Sequence, residues 1–150
     1  MITEAIIDAT IEGLNDDDSF SEVSVSIIET HPEVVAYLGS ESFDILSEVE
    51  KDQLWYAIVI LYASIKEENP HLRKRTPEEI EEYEESNYAI IDTQAKYIDM
   101  CNILFSHTEE EDLLAFVEDF LVPEDGDDIS PPGRKVMFIT LKTLIDVWCD

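Results

Sequence analysis

The sequence predicts an all-α protein, a compact single-domain bundle of six or seven helices over residues 1–150. Three observations predict it. Apolar residues recur at three- and four-residue spacing along most of the chain. Capping residues, prolines and glycines stand where those stripes begin and end. The one stretch that alternates like a strand, Val23-Ser24-Val25-Ser26-Ile27, has no partner strand elsewhere, so residues 19–29 read as helix. At 150 residues and 45% hydrophobic, the chain can bury a real core and does not have the composition of a disordered acidic segment.

Taken in order, Ile2, Ala5, Ile6, Ala9 and Leu14 share one helical face, and Gly13 with Asn15 ends that helix. Asp16-Asp17-Asp18 reads as a loop, followed by a capping box at Ser19 and Glu22 and a stripe of Phe20, Val23, Ile27 and Ile28. Pro32 opens a short helix that Gly39 closes. Ser42 caps a turn holding Phe43, Ile45, Leu46 and Val49. Leu54 to Lys66 is apolar on most sides, which marks a central helix enclosed by others, and Asn69-Pro70 stops it.

The only basic cluster, Arg73-Lys74-Arg75, precedes a strong helix start at Thr76-Pro77-Glu78-Glu79. Ile80, Tyr83, Asn87, Ile91, Ala95, Ile98 and Phe105 continue at helical spacing over one long segment, with a break near Ser86-Asn87 as the alternative. Thr108 and Glu111 form a further capping-box pattern ahead of Leu113, Leu114, Phe116, Val117, Phe120 and Leu121, which Pro123 ends. A loop from Glu124 to Gly133 leads into a last helix from about Arg134 to Trp148, with Met137, Leu141, Leu144, Ile145 and Trp148 on one face. Leu54, Ile58, Leu61, Ile91, Phe116 and Leu144 are the expected core.

Charge is the main functional clue. The net charge is −27, and the first fifty residues hold thirteen carboxylates and no lysine or arginine. Such one-sidedness repels itself in the compact state. It disfavours direct contact with nucleic acid or anionic membranes, both polyanions. The longest apolar run, Leu54 to Ile65, is too short to span a bilayer. The N-terminus has an early acid and no basic region, so it does not read as a secretory signal. Two widely separated cysteines, Cys101 and Cys149, point to reduced thiols in the cytoplasm, with a disulfide left open.

Chemistry finds little support. Glu68-Asn69-Pro70-His71 has the spacing of a di-metal ligand pair, but Pro70 breaks the helix and no second pair exists. Neither Asp16-Asp17-Asp18 nor Glu124-Asp125-Gly126-Asp127-Asp128 fits a calcium loop, which needs alternate oxygens, a central glycine and a closing glutamate. His31, His71 and His107 sit near helix ends, His31 and His107 reading as capping or turn residues, and no glycine-rich phosphate loop occurs. No cofactor, metal or catalytic group is expected.

The reading that follows is a non-enzymatic acidic protein that binds a basic protein, as an inhibitor, immunity protein or chaperone does. The competing reading is an interaction domain whose acidity serves solubility alone, and a carboxylate-dependent enzyme comes third. The binding face is expected within residues 1–50, on Asp16, Asp17, Asp18, Glu22 and Glu29, because nothing in that segment can neutralise them locally.

Overall fold

A computed structural model describes residues 1–92, 94–122 and 128–150. The described residues are all-helical, with no strand. The helices are α1 (Glu4–Gly13), α2 (Asp17–Thr30), α3 (Pro32–Leu38), α4 (Glu48–Glu68), α5 (Pro77–Ala89), α6 (Tyr97–Phe105), α7 (Glu111–Phe120) and α8 (Pro131–Cys149), with a 3-10 turn at Glu41–Phe43. Among the described residues there are eight α-helices, one or two more than the expected six or seven, and the long segment from Ile80 to Phe105 is two of them. The chain breaks after Ala89, beyond the alternative break at Ser86-Asn87. Asn87 is buried inside α5 and donates to Thr143 Oγ1 (3.2 Å) and Asp146 Oδ2 (3.1 Å), so tertiary bonds carry the helix past that point.

Two helices form the centre. α4 packs against α1, α2, α7 and α8, while α8 packs against α4, α5, α6 and α7. Leu54, Ala57, Ile58, Val59, Ile60, Leu61, Tyr62 and Ile65 of α4 are buried, as the continuous apolar run predicts. The expected single buried face of α8 is wider than that. Met137, Phe138, Ile139, Leu141, Leu144, Ile145, Val147 and Trp148 are all buried, since four helices surround it. Of the expected core, Leu54, Ile58, Leu61 and Leu144 are buried; Ile91 and Phe116 pack on its edge, half-buried. Ile28, Ile45 and Val49 point to solvent instead of inward.

Capping sets the helix boundaries. Thr76 and Glu79 form the expected capping box of α5, at 3.1 and 3.2 Å. The other two expected boxes are not formed. α2 starts earlier, at Asp17, because Asp16 Oδ1 accepts the Ser19 N–H at 2.8 Å and so caps it. Thr108 spends its hydroxyl on the Glu110 N–H (3.1 Å), and α7 starts without a side-chain cap. A box that the sequence reading missed, Ser47 with Glu50, starts α4 six residues before Leu54. Ser130 caps α8, which begins at Pro131 and not near Arg134. Residues 124–127 of the loop expected from Glu124 to Gly133, with Pro123 before them, lie outside the described residues.

Candidate protein-binding face

The face begins with α2. Asp16 is its N-cap, and the Ser19 backbone hydrogen bond holds its carboxyl below the usual range. Asp17 and Asp18 occupy the first turn, where the helix dipole favours negative charge. Asp18, Glu22, Val25 and Glu29 follow at four-, three- and four-residue steps and share one exposed face. Glu29 lies about 16 Å along the axis from Asp18, and Asp16 and Asp17 at the start of α2 are turned away from that face, so the five expected residues are spread along and around the helix and do not form one cluster. All five are exposed, and among the described residues none pairs with a lysine or arginine. Val25 (46% exposed) and Ile28 (48%) place apolar surface beside them.

Two of the thirteen early carboxylates are structural. Glu33 is buried: its Oε2 meets His31 Nδ1 at 3.0 Å and accepts the Arg75 N–H at 3.4 Å. Arg75 is itself buried over the Tyr83 ring and pairs with Glu79 and Asp150, each at 3.7 Å, while Arg73 and Lys74 of the same basic cluster are exposed. Glu50 Oε1 accepts the Ser47 N–H at 2.9 Å, while its Oε2 accepts from the Ser130 N–H and hydroxyl, both at 3.2 Å. Burial pushes the Glu50 carboxyl up, but these hydrogen bonds from Ser47 and Ser130 outweigh it and leave the pKa lowered.

A second acidic surface was not anticipated. Ile2 and Glu4 donate their backbone N–H groups to Glu110 Oε2 (3.0 Å) and Asp112 Oδ2 (3.1 Å), which ties the start of α1 to α7. Between the two helices runs a groove of about 470 Å³ lined by Glu4, Ile7, Asp8, Asp112, Ala115, Phe116, Asp119 and Phe120. Its floor is apolar and its rim carries four carboxylates and no base. From it extends a row of stacked rings, Phe116 on Phe120, Phe120 on Tyr56 and Tyr56 on Phe20, with centroids 6.0, 5.8 and 5.7 Å apart. The sequence signals were the four-residue spacings Glu4–Asp8–Glu12 and Phe116–Phe120, but nothing local shows that segments more than a hundred residues apart are neighbours.

A cleft of about 500 Å³ includes Asn87, His107, Glu110, Lys142, Asp146 and Cys149 in its lining. The Lys142 ammonium there is committed to Asn87 (3.2 Å) and both Asp146 oxygens (2.8 and 2.6 Å). Cys101 and Cys149 are free thiols. Burial pushes Cys101 up to about 11, and Cys149, though exposed at the end of α8, is pushed up to about 12 by partial desolvation with Glu110 and Asp146 adding to it, the opposite direction from an activated thiol. Among the described residues no three His, Cys, Asp or Glu side chains gather as a metal site, and no helix is long and apolar enough to cross a membrane. No family model, curated protein or solved structure matches this chain.

Proposed function

We propose that this protein is a non-enzymatic binder of a basic protein, in the manner of an inhibitor, immunity protein or chaperone. The carrying observation is the set of α2 carboxylates, Asp16, Asp17, Asp18, Glu22 and Glu29, all exposed and, among the described residues, paired with no lysine or arginine. Such a field attracts a cationic surface and speeds encounter, and it repels nucleic acid and anionic lipid. Free, sparse cysteines support a reducing, cytoplasmic setting.

The test is kinetic. Reversing Asp16, Asp17 and Glu22 together to lysine should slow association with a basic partner, most at low salt. Reversing Glu81, Glu82 and Glu85, exposed on α5, should slow it less. Because Asp16 and Asp17 also stabilise the start of α2, melting curves of both variants accompany the rates. Rates untouched by the first reversal, or slowed more by the second, would remove α2 as the face.

A further inference from the structure

We propose that the α1–α7 groove, together with the ring row of Phe116, Phe120, Tyr56 and Phe20, receives a cationic amphipathic helix from the partner. This inference rests on the basic-partner reading and specifies the partner's chemistry. Charge alone would select any polycation. The groove asks for more, because Ile7, Ala115, Phe116 and Phe120 form an apolar floor between rims bearing Glu4 and Asp8 on one side and Asp112 and Asp119 on the other. An occupant must therefore present apolar side chains along its centre and lysines or arginines along its flanks.

The rings fix the shape of the occupant. Each is stacked within 15° to 28° of its neighbour, and three helices, α2, α4 and α7, supply them. Tyr56 is 37% exposed, and Phe20, Phe116 and Phe120 are half-buried, so the row packs on the core while keeping an open side. Open aromatic surface of this kind is where interfaces concentrate their binding energy. The path from ring to ring is roughly 17 Å long, so the row spans at most about three turns of helix. Apolar anchors at three- and four-residue spacing would lie on the rings, as in helix-in-groove recognition. Flanking cations would reach the carboxylates or lie over ring faces.

The experiment uses the full chain and three synthetic peptides of about 12 residues, measured calorimetrically in about 0.15 M salt. The first carries leucines at three- and four-residue spacing among lysines. The second replaces those leucines with serine at equal charge. The third keeps the leucines and replaces the lysines with glutamine. The first should bind at least about tenfold more tightly than either control. Phe120→Ala should weaken it by a similar factor, and so should the paired reversal Asp8→Lys with Asp119→Lys. Both reversed residues are exposed, so that pair keeps the test decisive if Phe120→Ala melts early. If both cationic peptides bind equally, and only the Asp16, Asp17 and Glu22 reversal weakens them, the groove is overturned while the basic-partner reading stands. If neither cationic peptide binds, both readings fall.

Discussion

Gly133 illustrates how one atom can tie two helices together. A Cβ there would lie 1.9 Å from Glu50 Oε2 and 2.8 Å from Ser130 Oγ. Those two groups bond to each other and join the start of α4 to the start of α8. In an ordinary helix alanine would be favoured over glycine by about 1 kcal/mol. Here the clash dominates, and Gly133→Ala should destabilise by about 2–4 kcal/mol in denaturant melts. The loss should shrink when Glu50→Ala is present; an equal loss in both backgrounds would clear Glu50 of the conflict. Glu84 shows the opposite balance. Burial raises its carboxyl above the ordinary 4.5, the Tyr37 hydroxyl that donates to it lowers it in part, and Glu81 and Glu85 raise it further. A carboxyl with a raised folded pKa stabilises when protonated, so its benefit is lost as pH rises through that pKa. Glu50, with a lowered pKa, stabilises when ionised and loses that benefit as pH falls below about 4.5. The melting temperature should therefore peak on the acid side of neutral. Glu84→Gln, which keeps an acceptor for Tyr37, should raise the melting temperature near pH 7 and flatten the rise toward that peak. An unchanged profile would show that Glu84 does not set it.

At the scale of elements, α4 and α8 hold the molecule together. Leu61 is fully buried midway along α4, and Leu61→Ala should cost about 2–5 kcal/mol, read from a denaturant midpoint. A midpoint that does not move would mean that α4 is not the centre. The role of α4 was legible because the twelve residues from Leu54 to Ile65, apolar but for Ser64, leave a helix little solvent face. That of α8 was less so, because Lys142 and Asp146 look like surface residues. The Lys142 side chain becomes buriable only when Asp146 and Asn87, the latter from another helix, satisfy all its donors. Cap positions were legible where a single hydroxyl had no rival, as at Thr76. At Ser19 they were not, because Asp16 offers a stronger acceptor one turn earlier. The α2 carboxylates were readable because no base lies within reach in their own segment. The α1–α7 groove was not, because its two walls meet only through tertiary packing.

Across the whole molecule, a charge of −27 lies over 8128 Å² of surface, about one net charge per 300 Å². Duplex DNA, with one charge per ~1.7 Å of axis, carries about three times that density. The few bases do little to relieve the repulsion on the N-terminal side. Arg75 and Lys142 are buried in their own pairs, and the exposed Lys51–Glu48 pair, at 3.9 Å, contributes roughly 0–1 kcal/mol. Helices α1 and α2 therefore present Glu4, Asp8, Glu12, Asp16, Asp17, Asp18, Glu22 and Glu29 to solvent with no opposing charge from their own sequence. Screening should relieve this directly, because salt shortens the reach of like-charge repulsion to about 8–10 Å at physiological strength. The melting temperature should rise between low and moderate salt, before any anion-specific effect enters. The buried Lys142–Asp146 pair opposes the trend only weakly, since screening scarcely reaches it. The Asp16, Asp17 and Glu22 reversal to lysine should then show a smaller salt-dependent rise than the unaltered protein, because it removes part of the repulsion that salt would screen. Equal salt slopes in the two proteins would place the destabilising repulsion elsewhere than on α2. A melting temperature flat with salt in both would mean that local pairing already balances the surface charge.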